Sequence, residues 1–494
     1  MQFTREQQDA IRINEANLIV EAGAGTGKTR VLIERYLQLL DDNLDWRISS
    51  LVAITFTREA AYEMRHRLRQ ELEARARHED GERWARRLAQ LDRARIDTIH
   101  GLCADLLRAN AAQAGVDPKF EVMDENEAAI LLDDTVDDVL AAVEAPVSRL
   151  FAHYDAFMIE KALKQPSLIN AEYEPPPADA EALFQRWESH WSEDVVNERR
   201  KLLSCAELAA LAPAGPAPDE DKLAALIAQY RGYLDRIESS DDARDIVQLM
   251  EECYGRGAVG NKGSAKAWGG NDAKREAAQS LRNLRARIKD ALDSVGAPPG
   301  ELDRATAEIL PLWHQLLQRV KTTYRERKEE RAQLDFDDLE RLTAQLLQDP
   351  VVRNRYRGAE FKHLLVDEFQ DTNAAQWQII SSLADLRQGG LLFLVGDPKQ
   401  SIYQFRGADV SVFNRVRAEL DQLESGRVLP LSRSFRAHRP LIEQFNALFG
   451  QILQQDENSP FADFEVPLGK AMTAARAKPP ALPAIEIQLL VPPE

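Results

Sequence analysis

Cysteine is nearly missing: the 494 residues hold three, Cys103, Cys205 and Cys253, far apart in the chain. That scarcity argues against a disulfide framework and against a cysteine-ligated zinc site. It makes a reducing cytoplasm the expected compartment. Long apolar runs are missing as well. No stretch approaches the roughly 18–20 residues of a membrane span, and the opening MQFTREQQDA is too polar for a secretory signal. Basic charge is in deficit, with 63 Lys plus Arg against 81 Asp plus Glu and a net charge of −18. Such a balance is not that of a protein that binds polyanions over its whole surface, although a local basic groove remains compatible with it. What is present is an ordinary globular mixture, 44% apolar and 29% charged, which argues against disorder over most of the chain. The length suggests about three domains.

The ends and the middle read differently. Short apolar runs rich in Val, Ile and Leu occur at Leu18-Ile19-Val20, at Leu51 to Ile54, at Leu364-Leu365-Val366 and from Leu391 to Val395. Each precedes a turn or a polar motif, as buried parallel strands do. Helical stretches such as 30–40 and 59–75 lie between them, so the expected fold is a doubly wound α/β domain. The middle, about 110–330, has helical spacing at 127–143 and 306–330. Breakers interrupt it at Pro175-Pro176-Pro177, at 212–218, at the Gly-rich 255–271 and at Pro298-Pro299-Gly300. It reads as a helical domain inserted into the α/β domain. After 425 come a strand at Val428-Leu429, a helix over 440–454 and a further strand at Ile485–Val491, too little for a core of its own.

The sharpest signal is LIVEAGAGTGKTR, residues 18–30. A strand runs into a Gly-rich loop, and Gly27-Lys28-Thr29 opens a helix. Backbone N–H groups of such a loop cradle phosphate oxygens. Lys28 then reaches the β and γ phosphates, and Thr29 coordinates Mg²⁺. The strict pattern has Gly where this chain has Ala22. The bland alternative is a Gly-rich turn before a surface helix, and the ordered succession of strand, loop and helix argues against it. A second segment, LLVDE at 364–368, ends a strand in two acids. Asp367 can hold Mg²⁺ and Glu368 can act as general base, or the pair can cap a helix. A third, LLFLVGDPKQSIYQFRGAD at 391–409, carries Gln400, which can sense a γ-phosphate, and then Tyr403, Phe405 and Arg406. Those three suit base stacking and phosphate contact, yet on composition alone Tyr403 and Phe405 read first as core aromatics.

Together these segments resemble the UvrD/RecB group of superfamily 1 DNA helicases, in that family's order. FTREQ (Phe3–Gln7) resembles the adenine-reading Q motif, and AGAGTGKT the family's Walker A variant. ITFTREAAYEMRHRL (54–68) and DTIHGLC (97–103) resemble the motifs that touch single-stranded DNA. LDFDDLE (334–340) resembles the segment before motif II. VDEFQDTN (366–373), VGDPKQSIYQFRGAD (395–409) and LSRSFR (431–436) resemble motifs II, III and IV. The Asp-Pro-Lys before Gln400 is worded more like the RecB and AddA helicase–nuclease subunits. Gly101 and Ser434 depart from the usual Ser and Asn.

The resemblance implies a RecA-like P-loop domain 1A at 1–109 and 331–425, a helical subdomain 1B at 110–330 and the beginning of domain 2A at 426–494. It implies ATP and Mg²⁺ as cofactors. Gln7, Ala22, Gly23, Ala24, Gly25, Thr26, Gly27, Lys28, Thr29, Arg30 and Phe435 would surround the nucleotide, with Thr29 and Asp367 on the metal. Lys28, Glu368, Gln400 and the arginine finger Arg436 would be the catalytic set. Phe56, Thr57, His100, Tyr403, Phe405 and Arg406 would line the DNA path. Lys262, Lys266 and Trp268 could touch DNA from the Gly-rich loop, although a flexible surface loop is the better reading there. The implied activity is 3′-to-5′ movement on single-stranded DNA in repair or recombination. The implied partners are single-stranded and partly duplex DNA, with a nuclease partner or a chain supplying the C-terminal half. No segment resembles motif V or VI, or a nuclease domain, so turnover is expected to be slow. The alternative is a nucleotide-gated DNA-binding or adaptor fragment without motor activity.

Overall fold

The computed structural model describes residues 2–78, 81–170, 175–209, 211, 216–256, 259–453 and 463–477. The strand expected at Ile485–Val491 lies outside them, as does the side chain of Arg406. The described residues form ten strands: β1 (Asn17–Ala22), β2 (Leu51–Thr55), β3 (Arg95–Thr98), β4 (Glu121–Val122), β5 (Gln333–Leu334), β6 (His363–Val366), β7 (Leu392–Gly396), β8 (Gly426–Leu431), β9 (Arg433–His438) and β10 (Thr473–Arg476). Six make one sheet in the order β3-β2-β6-β7-β1-β8, and every neighbouring pair in it is parallel.

Both faces of this sheet are covered, which explains the unbroken apolar runs. The two-residue period of a strand sends Ile19, Ile54 and Leu394 into one core. Leu18, Val20, Ala53 and Val395 enter the other. The flanking helices include Lys28–Asp42, Arg58–Arg75 and Ile99–Ala109. Because the strands are parallel, all their C-terminal ends lie on one edge, where α/β sheets hold their ligands. The segments that follow the strands at that edge carry Gly23–Thr29, Phe56, His100, Asp367, Gln400 and Ser434.

Two boundaries differ from the expectation. Strand β8 pairs along its length with β1, from Asn17 with Gly426 to Ala22 with Leu431. Residues 426–431 therefore complete the first sheet rather than begin a second domain. The helical insertion forms a compact unit from Leu131 to Arg325, inside the expected 110–330. Its core packs helices Ala180–Leu203, Lys222–Ser239, Ala243–Gly255 and Asn271–Val295 around residues such as Tyr230, Met250 and Leu281.

The Gly-rich segment of this unit is anchored. Trp268 is buried and its indole N–H donates to Asp221 Oδ1 at 3.0 Å. The Ser264 amide donates to Asp221 Oδ2 at 2.7 Å. Asp221 also caps the helix Lys222–Ser239. Trp268 is thus a core residue, which corrects both the DNA-contacting and the flexible-loop readings. Among the described residues no helix is long and apolar enough to cross a membrane.

Candidate active site

Strand β1 ends at Ala22, and the chain turns through residues 23–27 into the helix Lys28–Asp42. The turn needs left-handed backbone at Gly25 (φ +74°) and Gly27 (φ +86°). At Gly25 a Cβ would also fall 2.5 Å from the Cβ of Arg436. Thr26 braces the loop, its hydroxyl donating to the Gly23 carbonyl at 2.8 Å. No side chain caps the helix that follows, and no acid sits in its first turn. Its N–H groups and positive dipole end are therefore left for an anion. This cradle fits nucleotide phosphates.

Facing the loop, Asp367 and Glu368 follow β6. The Lys28 ammonium donates to Glu368 Oε2 at 2.7 Å. Glu368 adopts φ 50°, ψ 44°, a left-handed conformation costly for a residue with a side chain and typical of functional turns. Burial first, and then the charge of Glu368, pushes the Asp367 carboxyl up to about 6, against the pull of Lys28. Asp371 is likewise pushed up to about 6, by burial and then by Glu368. Among the described residues no three or more His, Cys, Asp or Glu form a metal cage. Magnesium usually rides with phosphates on one or two protein ligands, and Thr29 and Asp367 carry the oxygen atoms that could serve as such a pair.

Gln370 lies inside VDEFQDTN, yet its role was not read from the sequence. Its Nε2 donates to Glu368 Oε2 and to Asp371 Oδ2, both at 3.0 Å. Its Oε1 accepts from the Asp397 amide at 2.9 Å. One side chain therefore joins the ends of β6 and β7. Gln400 donates in turn to Asp397 Oδ2 at 2.6 Å.

At the expected adenine end, Gln7 is 3% exposed. Its Oε1 accepts from the Thr4 amide at 3.0 Å, and its Nε2 donates to the Thr26 carbonyl at 2.9 Å. The side chain expected to read a base is thus bonded to the phosphate loop, with one lone pair and one N–H to spare. Arg30 lies over the Phe3 ring, 4.2 Å from its centroid. Strand β9 packs on the loop: the Phe435 amide donates to the Gly25 carbonyl at 2.8 Å and the Ser434 hydroxyl to the Ala24 carbonyl at 3.2 Å. Ser434 thereby makes a loop contact of its own where the related pattern has Asn. Arg436 is exposed beside Gly25. A cavity of ≈ 740 Å³ adjoins Gly23, Ala24, Asp397 and Gln400, and its lining mixes apolar groups such as Phe449 and Met472 with charged ones such as Glu21 and Lys470. Its lining includes neither Lys28 nor Glu368.

The expected DNA-path residues divide into groups. Phe56, Tyr403 and Phe405 form a row, with centroid distances of 4.7 Å for the first pair and 5.8 Å for the second. Phe405 is 78% exposed, which decides against a core role. Thr57 lies beside the row but uses its hydroxyl to cap the helix Arg58–Arg75, accepting from the Ala60 amide at 3.1 Å. His100 stands on a different support, stacked on Phe336 at 4.4 Å and bonded to Glu340 at 3.0 Å. At Gly101, where the related pattern has Ser, a Cβ would stand 2.4 Å from the Asp97 carboxylate carbon.

The model of the UvrD/REP helicase N-terminal domain matches residues 3–421. An ATP-dependent helicase/nuclease subunit from Syntrophomonas wolfei is 30% identical over 92% of this chain and 38% of its own length. The protein of the same description from Moorella thermoacetica is 31% identical over 99% of this chain and 37% of its own. That from Pelotomaculum thermopropionicum is 31% identical over 91% and 38%. The chain therefore spans about two fifths of the length of the curated relatives it matches.

Proposed function

The chain belongs to the UvrD/REP helicase family, and from that premise we propose that it is the ATP-hydrolysing part of a DNA motor of the AddA type. The motor moves 3′ to 5′ on single-stranded DNA during repair or recombination. Its partners are single-stranded and partly duplex DNA, and a chain or domain that supplies the rest of the motor and a nuclease. The observation that carries this reading is one short segment. Residues 396–405 begin at the phosphate site with Asp397 and Gln400, and end in the aromatic row with Tyr403 and Phe405. A movement at one end of such a segment is felt at the other.

The loop N–H groups and Lys28 bind phosphate. Thr29 and Asp367 would hold a magnesium ion, whose chemistry is to neutralise phosphate charge. Glu368 orients and deprotonates the attacking water, while Gln370 keeps its carboxylate aimed. Gln400 senses the γ-phosphate, and Arg30 and Phe435 flank the base. Arg436, beside the loop, offsets charge in the transition state. Phe56, Tyr403 and Phe405 stack bases, and Thr57, His100 and Arg406 serve the same path.

Binding and turnover of ATP–Mg²⁺ by the wild type, Lys28→Ala and Glu368→Gln test this. The wild type should bind. Lys28→Ala should lose affinity at least about tenfold, the scale of a charge-assisted contact. Glu368→Gln should bind normally and turn over about 10²–10⁴ times more slowly. Unchanged binding in Lys28→Ala would overturn the assignment. A second reading, nucleotide-gated DNA binding without turnover, predicts binding but no hydrolysis in the wild type.

A further inference from the structure

Glu340 is the last residue of LDFDDLE and sits on the helix Phe336–Leu346. It is 6% exposed. A buried carboxylate is costly unless donors surround it, and here three side chains from two other helices do so. His100 Nε2 lies 3.0 Å from Oε1. Gln376 Nε2 donates to Oε1 at 2.7 Å, and Asn373 Nδ2 donates to Oε2 at 3.1 Å. Burial works against its charge, but the donors His100, Gln376 and Asn373 outweigh it and hold the carboxyl below its ordinary range. An ionised carboxylate only accepts, so Nε2 of His100 carries the proton. The tautomer is thereby set, and the ring is clamped between Glu340 and the Phe336 face.

The other donors come from a different functional segment. Asn373 closes VDEFQDTN, the segment that carries Asp367 and Glu368. With Gln376 it also forms the capping box of the helix Ala374–Leu383. A leucine or methionine at position 340 would fill the same space without a desolvation cost. What a carboxylate adds is a directional link between the loop after β6 and the helix after β3.

We propose that Glu340 is a positioning residue, which orients His100 toward single-stranded DNA and ties it through Asn373 to the segment bearing Asp367 and Glu368. This rests on the DNA path proposed above. The support shared by His100 and Asn373 makes nucleotide-dependent changes in the acidic segment reach the DNA contact on the β3 side. That route is separate from the one through Gln400 and Tyr403.

The test is the affinity of this chain for a fluorescent oligothymidylate, with and without a non-hydrolysable ATP analogue and Mg²⁺. Glu340→Gln preserves shape and should weaken DNA binding about five- to tenfold, the upper part of the range for loss of one ordinary hydrogen bond. In a His100→Ala background the same substitution should add nothing. Asn373→Ser should leave nucleotide-free DNA affinity near that of the wild type and reduce the change that the analogue produces. It also keeps the idea testable if Glu340→Gln folds poorly. Unchanged affinity in Glu340→Gln, or an equal loss in the His100→Ala background, would overturn the proposal and mark Glu340 as a packing residue. If the wild type binds no single-stranded DNA, the proposed DNA path itself is wrong. If it binds and only the Glu340 variants are silent, the path stands and this link does not.

Discussion

The acidic pair after β6 places two neighbouring carboxyls in different surroundings. Asp367 is half-buried and its carboxyl is pushed up to about 6, whereas Glu368 bonds Lys28 and Gln370. An acid with a raised pKa is neutral below that pH, and a neutral carboxyl is a poor magnesium ligand. The Mg²⁺ dependence of nucleotide binding should therefore fade as the pH falls through about 6. Titration calorimetry with an ATP analogue across that window checks this, and a Mg²⁺ dependence that stays constant would count against Asp367 as the metal ligand. The residue types Lys28, Thr29, Asp367 and Glu368 were legible because their chemistry is local, each at the end of an apolar run. Gln370 and Glu340 were not. Their partners lie across the fold, at Asp397 and His100, and an acid within a run such as DFDDLE reads like any solvated face.

Among elements, the strands buried on both faces announced themselves. Strand β3 did not, because it is a sheet edge and its sequence Arg-Ile-Asp-Thr exposes alternate side chains. Strand β8 was seen as a strand but assigned to the wrong sheet. Parallel pairing with β1 is a long-range choice that an isolated run does not reveal. Strand β9 was missed altogether, and it packs directly on the phosphate loop. That contact makes Gly25 a sensitive position: Gly25→Ala meets both a positive φ and the Cβ of Arg436. It should abolish nucleotide binding while leaving the far-ultraviolet circular dichroism unchanged, and retained binding would contradict the described loop. On the DNA side, Tyr403→Ala should weaken oligothymidylate binding by about 1–3 kcal/mol, the measured scale of base stacking on aromatic side chains. Fluorescence anisotropy reads it, and an unchanged affinity would return Tyr403 to a core role.

For the whole molecule, the α/β class and the presence of a helical insertion were both readable from the alternation of apolar runs and helical spacing. The insertion's interior was harder. Its Gly-rich segment read as a flexible loop, and the bonds of Trp268 and Ser264 to Asp221, which lie 43 or more residues away in sequence, anchor it. The net charge of −18 carried no information about the candidate site, because its groups gather on segments at one sheet edge and not over the whole surface. In the proposed motor, nucleotide and DNA are linked through that edge. Single-stranded DNA affinity with and without an ATP analogue and Mg²⁺, in the wild type and in Lys28→Ala, tests this link. A several-fold nucleotide-dependent change is expected in the wild type and none in Lys28→Ala. A DNA affinity that nucleotide leaves unchanged, in a wild-type protein that binds both ligands, would contradict it.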